Sequence, residues 1–179
     1  MSGNDTTVSA KENASAVHEL PMQLFDQVKE QFGEAVTATD SGTLCVVRNH
    51  IVEVSYFLRD DPEFDFKMLV DLTAVDWPDR NPRFDVRYNL LSLSHLRRMQ
   101  IQVPVPENSP RLATVSHIWR AANWFERELH DMFGITFDGH PNLERLVLPD
   151  EFEGHPLRKE FGIHGEQNTP DSISQFEGW

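Results

Sequence analysis

Ten residues, "WFERELHDMF" at 124–133, contain Glu126, Arg127, Glu128, His130 and Asp131. Carboxylates and imidazoles this close together are the raw material of metal sites and of acid–base catalysis. On a helix, Glu126 and His130 lie four apart and share a face, as do Arg127 and Asp131. A catalytic zinc takes three protein ligands, so one carboxylate and one imidazole leave it short, and the order His-Glu-x-x-His is absent. His140 and His155, each inside a Gly-His-Pro triplet, could complete a set. That gives one reading: a metal-dependent hydrolase using Glu126, His130, His140 and His155. The competing reading is an ion-pair network that holds neighbouring loops. Arg127 offers a planar fork suited to two carboxylates, which a lysine could not match. The chain has no Gly-x-Ser-x-Gly elbow and no glycine-rich phosphate or dinucleotide loop, so nucleophilic, nucleotide and flavin chemistry lack support.

The composition narrows the field further. Sixteen basic residues stand against 29 acidic ones, a formal charge of −13. A polyanion gains nothing by releasing counterions from another polyanion, which argues against nucleic acid and anionic lipid as partners. Cys45 is the only cysteine. It rules out an internal disulfide and a thiolate zinc site, and an iron–sulfur cluster needs more ligands than it offers. Its apolar surroundings, "TLCVV", predict a buried, inert thiol. The first residues contain no apolar signal-peptide core, and no apolar run of about 18 residues occurs. A water-soluble chain in a reducing compartment is expected.

The elements that would position the cluster follow from periodicity. Residues 1–16 are small and polar and are expected to be disordered. "PMQLFDQVKEQFG" places Leu24, Phe25, Val28 and Phe32 at helical spacing and closes on Gly33. "TLCVVRN" reads as a strand. "HIVEVSYFLRDDPEF" fits a strand by the alternation of Val52, Val54 and Tyr56 and a helix by the stripe of Ile51, Val54, Phe57 and Leu58; the helix is favoured, because it can stop at Pro62. "FKMLVDLTAVDW" is long, apolar and rich in β-formers, and predicts a central strand. "RFDVRYNLLSLS" and "RRMQIQVPV" alternate with period two and are joined by a hairpin link at "SHLR". "PENSP" closes the sheet region. Residues 115–133 carry the strongest helical stripe, with Gly134 to end it, and "NLERLVLP" predicts one short further element. The expected fold is α+β and two-layered: one mixed sheet of about five strands with helices packed on it, plus an extended C-terminal tail. The expected domain spans 17–149, and the tail 150–179.

Charge is also uneven. Residues 83–127 carry seven Arg against three acids, and 150–179 carry seven acids against two bases. A basic surface patch and an acidic tail, each meeting a partner of opposite sign, would account for this.

The stretch "ERELHDMFGITFDGHPNLERLVLPDEFEGHPLRKEF" resembles the signature region of the 30 kDa-type (C-type) subunit of the respiratory complex I (NADH:quinone oxidoreductase) family. The resemblance extends upstream through "FLRDDPEFDFKMLVDLTAVDWPDRNPRFDVRYNLLSLSHLRRMQIQVPV" and covers roughly residues 50–161. Its most specific parts are Glu126-Arg127-Glu128, Asp131-Met132-Phe133-Gly134, Gly139-His140-Pro141 and Gly154-His155-Pro156-Leu157-Arg158-Lys159. Glu144 departs from the family, which usually has a basic residue or Pro there. Beyond Phe161 the likeness ends.

The resemblance implies a non-catalytic subunit of a proton-translocating NADH:quinone oxidoreductase. Such a chain binds no cofactor itself, the FMN and iron–sulfur clusters lying in partner subunits. It implies a place in the peripheral arm, on the cytoplasmic side of the membrane and not inserted in it. The partners implied are other peripheral-arm subunits, those that hold the last cluster and shape the quinone site. Related chains serve complexes with other electron donors, which leaves a third reading. Under the family reading, Glu126, Arg127, Glu128, Asp131, His140, His155, Pro156, Leu157, Arg158 and Lys159 are structural or interface residues. Pro156 biases His155 toward an extended backbone. The tail from Gly154 is therefore expected to leave the globule, with Leu157 as an apolar anchor and Arg158 and Lys159 facing acids on a neighbour.

Overall fold

The computed structural model of this protein describes residues 22–39 and 43–161. Helix α1 (Met22–Phe32) buries Leu24, Phe25 and Val28 and ends at Gly33, whose φ of 57° favours a residue without Cβ. Strands β1 (Val36–Ala38) and β2 (Leu44–Val46) pair antiparallel. Helix α2 (Ile51–Asp60) buries Ile51, Val54 and Leu58 of the expected stripe, and Ser55 with them, while Phe57 is partly buried.

Three nine-residue strands follow, β3 (Met68–Asp76), β4 (Phe84–Ser92) and β5 (Arg97–Val105), each antiparallel to the next. Strand β2 joins the far side of β5 in parallel, with Leu44 opposite Ile101. The mixed sheet therefore runs β1-β2-β5-β4-β3. Its alternating side chains, among them Val86 and Tyr88 on β4 and Ile101 and Val103 on β5, meet the apolar stripes of the helices in one core. This is the expected two-layer α+β arrangement.

Two expectations about the sheet are overturned. The segment "FKMLVDLTAVDW" forms an edge strand, because β4 lies between β3 and β5 and β5 gives its free side to β2. An apolar run signals burial on both faces, yet Met68 and Val70 on this strand are exposed. The sheet is also not alone: "PENSP" closes the five-stranded one, and a separate two-stranded sheet forms beyond it. Strand β6 (Arg111–Ala113) follows and pairs in parallel with β7 (Thr136–Asp138), with helix α3 (Ala122–Phe133) between them.

The helical stripe from 115 holds only from Ala122. Before it the chain makes tight turns in which Val115 O accepts the amides of both Ile118 and Trp119. Helix α3 ends at Gly134, in the left-handed conformation at φ 70°. "NLERLVLP" adopts neither helix nor strand. Cys45 is half-buried rather than buried, since Leu44 and Val46 point to the core and the residue between them points away.

Candidate functional site

The expected cluster lies on α3, but its buried and half-buried charges point to loops of the chain rather than to one another. Glu126 is fully buried. Its Oε1 accepts the Val115 N–H at 2.7 Å and its Oε2 the Thr114 hydroxyl, so it pins the turn between β6 and α3. Burial pushes its carboxyl up to about 7, against the pull of the Thr114 and Val115 hydrogen bonds. The buried Tyr88 hydroxyl is also pushed up, by desolvation and then by the charge of Glu126.

The His140 ring stands 3.9 Å from Glu126. This contact is not an ion pair, because the hydrogen bonds of His140 set its tautomer. Nε2 donates to Asn123 O at 3.1 Å, and Nδ1 accepts the Asn142 N–H at 3.1 Å. An imidazole with one donating and one accepting nitrogen is neutral. The Gly-His-Pro turn is thereby fastened to α3.

Arg127 does not bridge two carboxylates, contrary to the expectation. Its fork donates to two backbone carbonyls, Glu144 O and Arg145 O, each at 3.0 Å, while its guanidinium lies over Trp124. Asp131, one turn further on, pairs with the same loop rather than with Arg127. Its Oδ2 accepts the amides of Leu146, Val147 and Leu148 at 2.7, 2.8 and 3.3 Å. Burial works against this carboxylate, but the three amides and the nearby Arg145 outweigh it and hold it below the usual range. Residues 144–148 need no regular structure, because Arg127 takes two of their carbonyls and Asp131 three of their amides. Only main-chain atoms of Glu144 are used here, so its departure from the family pattern leaves the Arg127 contact intact. Glu128 is exposed and makes no hydrogen bond or ion pair among the described residues.

The second Gly-His-Pro turn packs against the end of α3. His155 Nδ1 donates to Asp131 O at 2.9 Å, and desolvation holds the imidazole below its usual range. Its ring fills the space beside Gly134, where an added Cβ would lie 2.6 Å from Cδ2. After Pro156, the Leu157 amide donates to Met132 O at 3.1 Å and Arg158 Nε to Phe133 O at 2.7 Å.

A third group, for which the spacing of the α3 cluster gives no hint, completes the attachment. Arg83, buried at the start of β4, makes a bidentate pair with buried Asp76, at 2.7 and 2.8 Å, and also meets Glu107 and Glu160. Asp76 Oδ2 accepts the Lys159 amide at 2.8 Å. The guanidiniums of Arg83 and Arg158 both lie over Phe84. Paired to Arg83, Asp76 is held below its usual range. The only sequence signal for this group is an Asp and an Arg flanking a turn.

Residues 154–161 therefore lie on the domain, where a segment leaving the globule was expected. Of the two bases thought to face a neighbour, Arg158 is engaged internally through its side chain, whereas Lys159 is held only by its backbone amide and its side chain is exposed. Leu157 remains exposed. The expectations for 1–16 and 162–179 fall outside the described residues.

The four residues of the hydrolase reading do not converge. His130 Nδ1 donates to Ile135 O, while Glu126, His140 and His155 serve three separate loops. Among the described residues no group of three or more His, Cys, Asp or Glu could hold a metal ion. The arrangement ties loops to one helix and presents no set of groups around a common point.

Comparisons with known proteins bear on the family of the chain. A family model described as respiratory-chain NADH dehydrogenase, 30 Kd subunit, matches residues 44–167. The C-type subunit of NADH-quinone oxidoreductase from Roseiflexus sp. (strain RS-1) is 41% identical over 158 residues, covering 88% of each chain. Its counterpart from Methylobacterium sp. (strain 4-46) is 46% identical over 146 residues, 79% of this chain and 67% of its own. Among solved structures, the trypsin-resistant fragment (1-134) of Nqo5 shares 33% identity at a TM-score of 0.55, covering 68% of this chain and 97% of its own. A chain of the membrane-bound sulfane sulfur reductase, an archaeal respiratory membrane complex, shares 26% identity at a TM-score of 0.65, covering 79% and 85%.

Proposed function

Because the chain belongs to the 30 kDa subunit family of respiratory-chain NADH dehydrogenases, we propose that it works there as a cofactor-free structural subunit. In this reading it sits in the peripheral arm of an NADH:quinone oxidoreductase, on the cytoplasmic side of the membrane. It supports the subunits that carry the last iron–sulfur cluster and shape the quinone site. Electrons pass from NADH through FMN and iron–sulfur centres in those partners to quinone, and this chain holds geometry. No helix among the described residues is long and apolar enough to cross a membrane, which fits attachment through other subunits.

One observation carries the proposal. The ionisable residues of the α3 signature that are buried or half-buried are each committed to a loop of their own chain. A catalytic set would leave some of these groups aimed at a shared cavity; here they act as ties. The relatives at 40% identity or more favour NADH as the donor of the complex over the donor of the sulfane sulfur reductase.

The test is composition together with assembly. The purified chain should contain less than about 0.1 equivalent of iron, zinc or flavin. Its deletion should abolish assembled NADH:quinone reductase in membranes. About one equivalent of metal, lost in His130→Ala, would refute the scaffold reading.

A further inference from the structure

The sheet has two faces, and the helices cover one. On the other, alternate residues of β3, β4 and β5 stand away from the core, and they are half-buried or exposed rather than buried, with the single exception of Asp85. An antiparallel sheet can leave such a face in water, and polar residues are then expected. The contents of this face are more specific than that. Register places Arg87 at its centre, between Thr73 on β3 and Gln102 on β5. The Nε–H of Arg87 is buried and has no hydrogen-bond acceptor among the described residues. Buried donors are nearly always satisfied, so an orphan in mid-sheet calls for an explanation.

The acids on this face do not answer it. Asp85 is taken by Trp77 Nε1 and Arg80 Nη1, both at 2.9 Å, and Asp71 accepts from Asn89 Nδ2 at 3.2 Å. Arg98, two rows along on β5, likewise makes no ion pair among the described residues, in a chain with 29 acidic residues. Around these two cations lie apolar side chains. Met68, paired across from Leu91, is 46% exposed, and Trp77, which covers Asp85, is 40% exposed. Trp, Met and Arg together, with Asp85 neutralised by Arg80 and Asp71 the one acid on the face without a cation among the described residues, is closer to the composition of an interface core than to that of a solvated face. Three nine-residue strands offer a platform of roughly 14 by 30 Å, by the usual strand spacing and rise. That is about half of the area that one partner contributes to a standard interface, about 800 Å², so the rim must supply the rest.

We propose that this uncovered sheet face is a docking surface for an acidic segment of another subunit, with a carboxylate of that segment accepting from Arg87 and Arg98 beside it. The inference rests on the subunit reading above and names a surface for it. It also gives two arginines of the 83–127 stretch, Arg87 and Arg98, a partner of opposite sign. Arg87 is matched to a planar carboxylate through parallel donors, and Met68, Leu91 and Trp77 supply the apolar contact around it.

The experiment uses the membrane complex and two full-length variants. Thr73→Cys, in a Cys45→Ser background, puts a thiol beside Arg87, and maleimide labelling should be at least tenfold slower in the purified complex than in the isolated chain. Arg87→Lys replaces the guanidinium with an amine, and carbodiimide treatment of the complex should then join it to an Asp or Glu of another subunit, identified by mass spectrometry of the linked peptides. Equal labelling rates in complex and isolated chain would overturn the docking while leaving the subunit reading intact. A link to residues 162–179 of the same chain, or to a second copy, would also overturn it. If the R87K chain does not enter the complex, the T73C rates alone decide. Absence of the unsubstituted chain from the complex would overturn both readings.

Discussion

Glu126→Gln should stabilise the protein at neutral and alkaline pH, and by an amount that depends on pH. In the fold the carboxyl is raised from 4.5 to about 7, chiefly by burial. A carboxyl whose folded value lies above its unfolded one contributes fully below the unfolded value. That contribution is lost as pH rises toward the folded value. At about 1.36 kcal/mol per unit, the shift corresponds to about 3 kcal/mol, of which about 2.5 kcal/mol falls between pH 5 and pH 8. Glutamine has nothing to ionise and can keep both contacts. Its carbonyl accepts the Val115 amide, and its amino group donates to Thr114 Oγ1, whose hydroxyl can turn to Ser116 Oγ. Urea denaturation of the isolated chain at several pH values measures the difference. The midpoint of Glu126→Gln relative to the unsubstituted protein should rise by roughly 1.5 M between pH 5 and pH 8 for an m-value typical of this size. A difference that stays flat across that range would show that Glu126 ionises as readily in the fold as in the unfolded chain, and the burial argument would be wrong.

Gly134→Ala should destabilise by about 2–4 kcal/mol, combining a left-handed backbone at φ 70° with a Cβ placed on the His155 ring. In a His155→Ala background the same change should cost only about 1–2 kcal/mol, the backbone part; an equal cost in both backgrounds would deny the contact. Arg127→Lys should lower thermal stability by about 1–2 kcal/mol, because an ammonium cannot span the two carbonyls of 144 and 145 as a fork does. Arg97→Lys at the hairpin should leave stability and assembled complex unchanged, and matching losses in the two variants would refute the assignment.

Local pattern alone determined much of this molecule. The stripe of Leu24, Phe25 and Val28, the alternation of Phe84, Val86 and Tyr88, and the glycines at 33 and 134 specify which residues face inward and where helices stop, because helix and strand periods are properties of adjacent residues. The signature around Glu126 was legible as a family resemblance, and its types excluded several chemistries. Tertiary structure decided what those residues hold. Spacing put Arg127 beside Asp131 and Glu126 beside His130, since neighbours on a helix are all that spacing can see. In the fold each turns to a loop from a distant part of the chain: residues 114–115 for Glu126, 144–145 for Arg127 and 146–148 for Asp131. The same limit hid the edge position of β3, which depends on β2 pairing with β5 rather than with β3. It also hid the return of 154–161 onto the domain. That return depends on a histidine filling the space that Gly134 leaves and on Arg83 and Asp76 gripping Glu160 and the amide of Lys159. A glycine's missing side chain and a buried ion pair act through space on whatever arrives beside them, and only the folded chain determines what arrives.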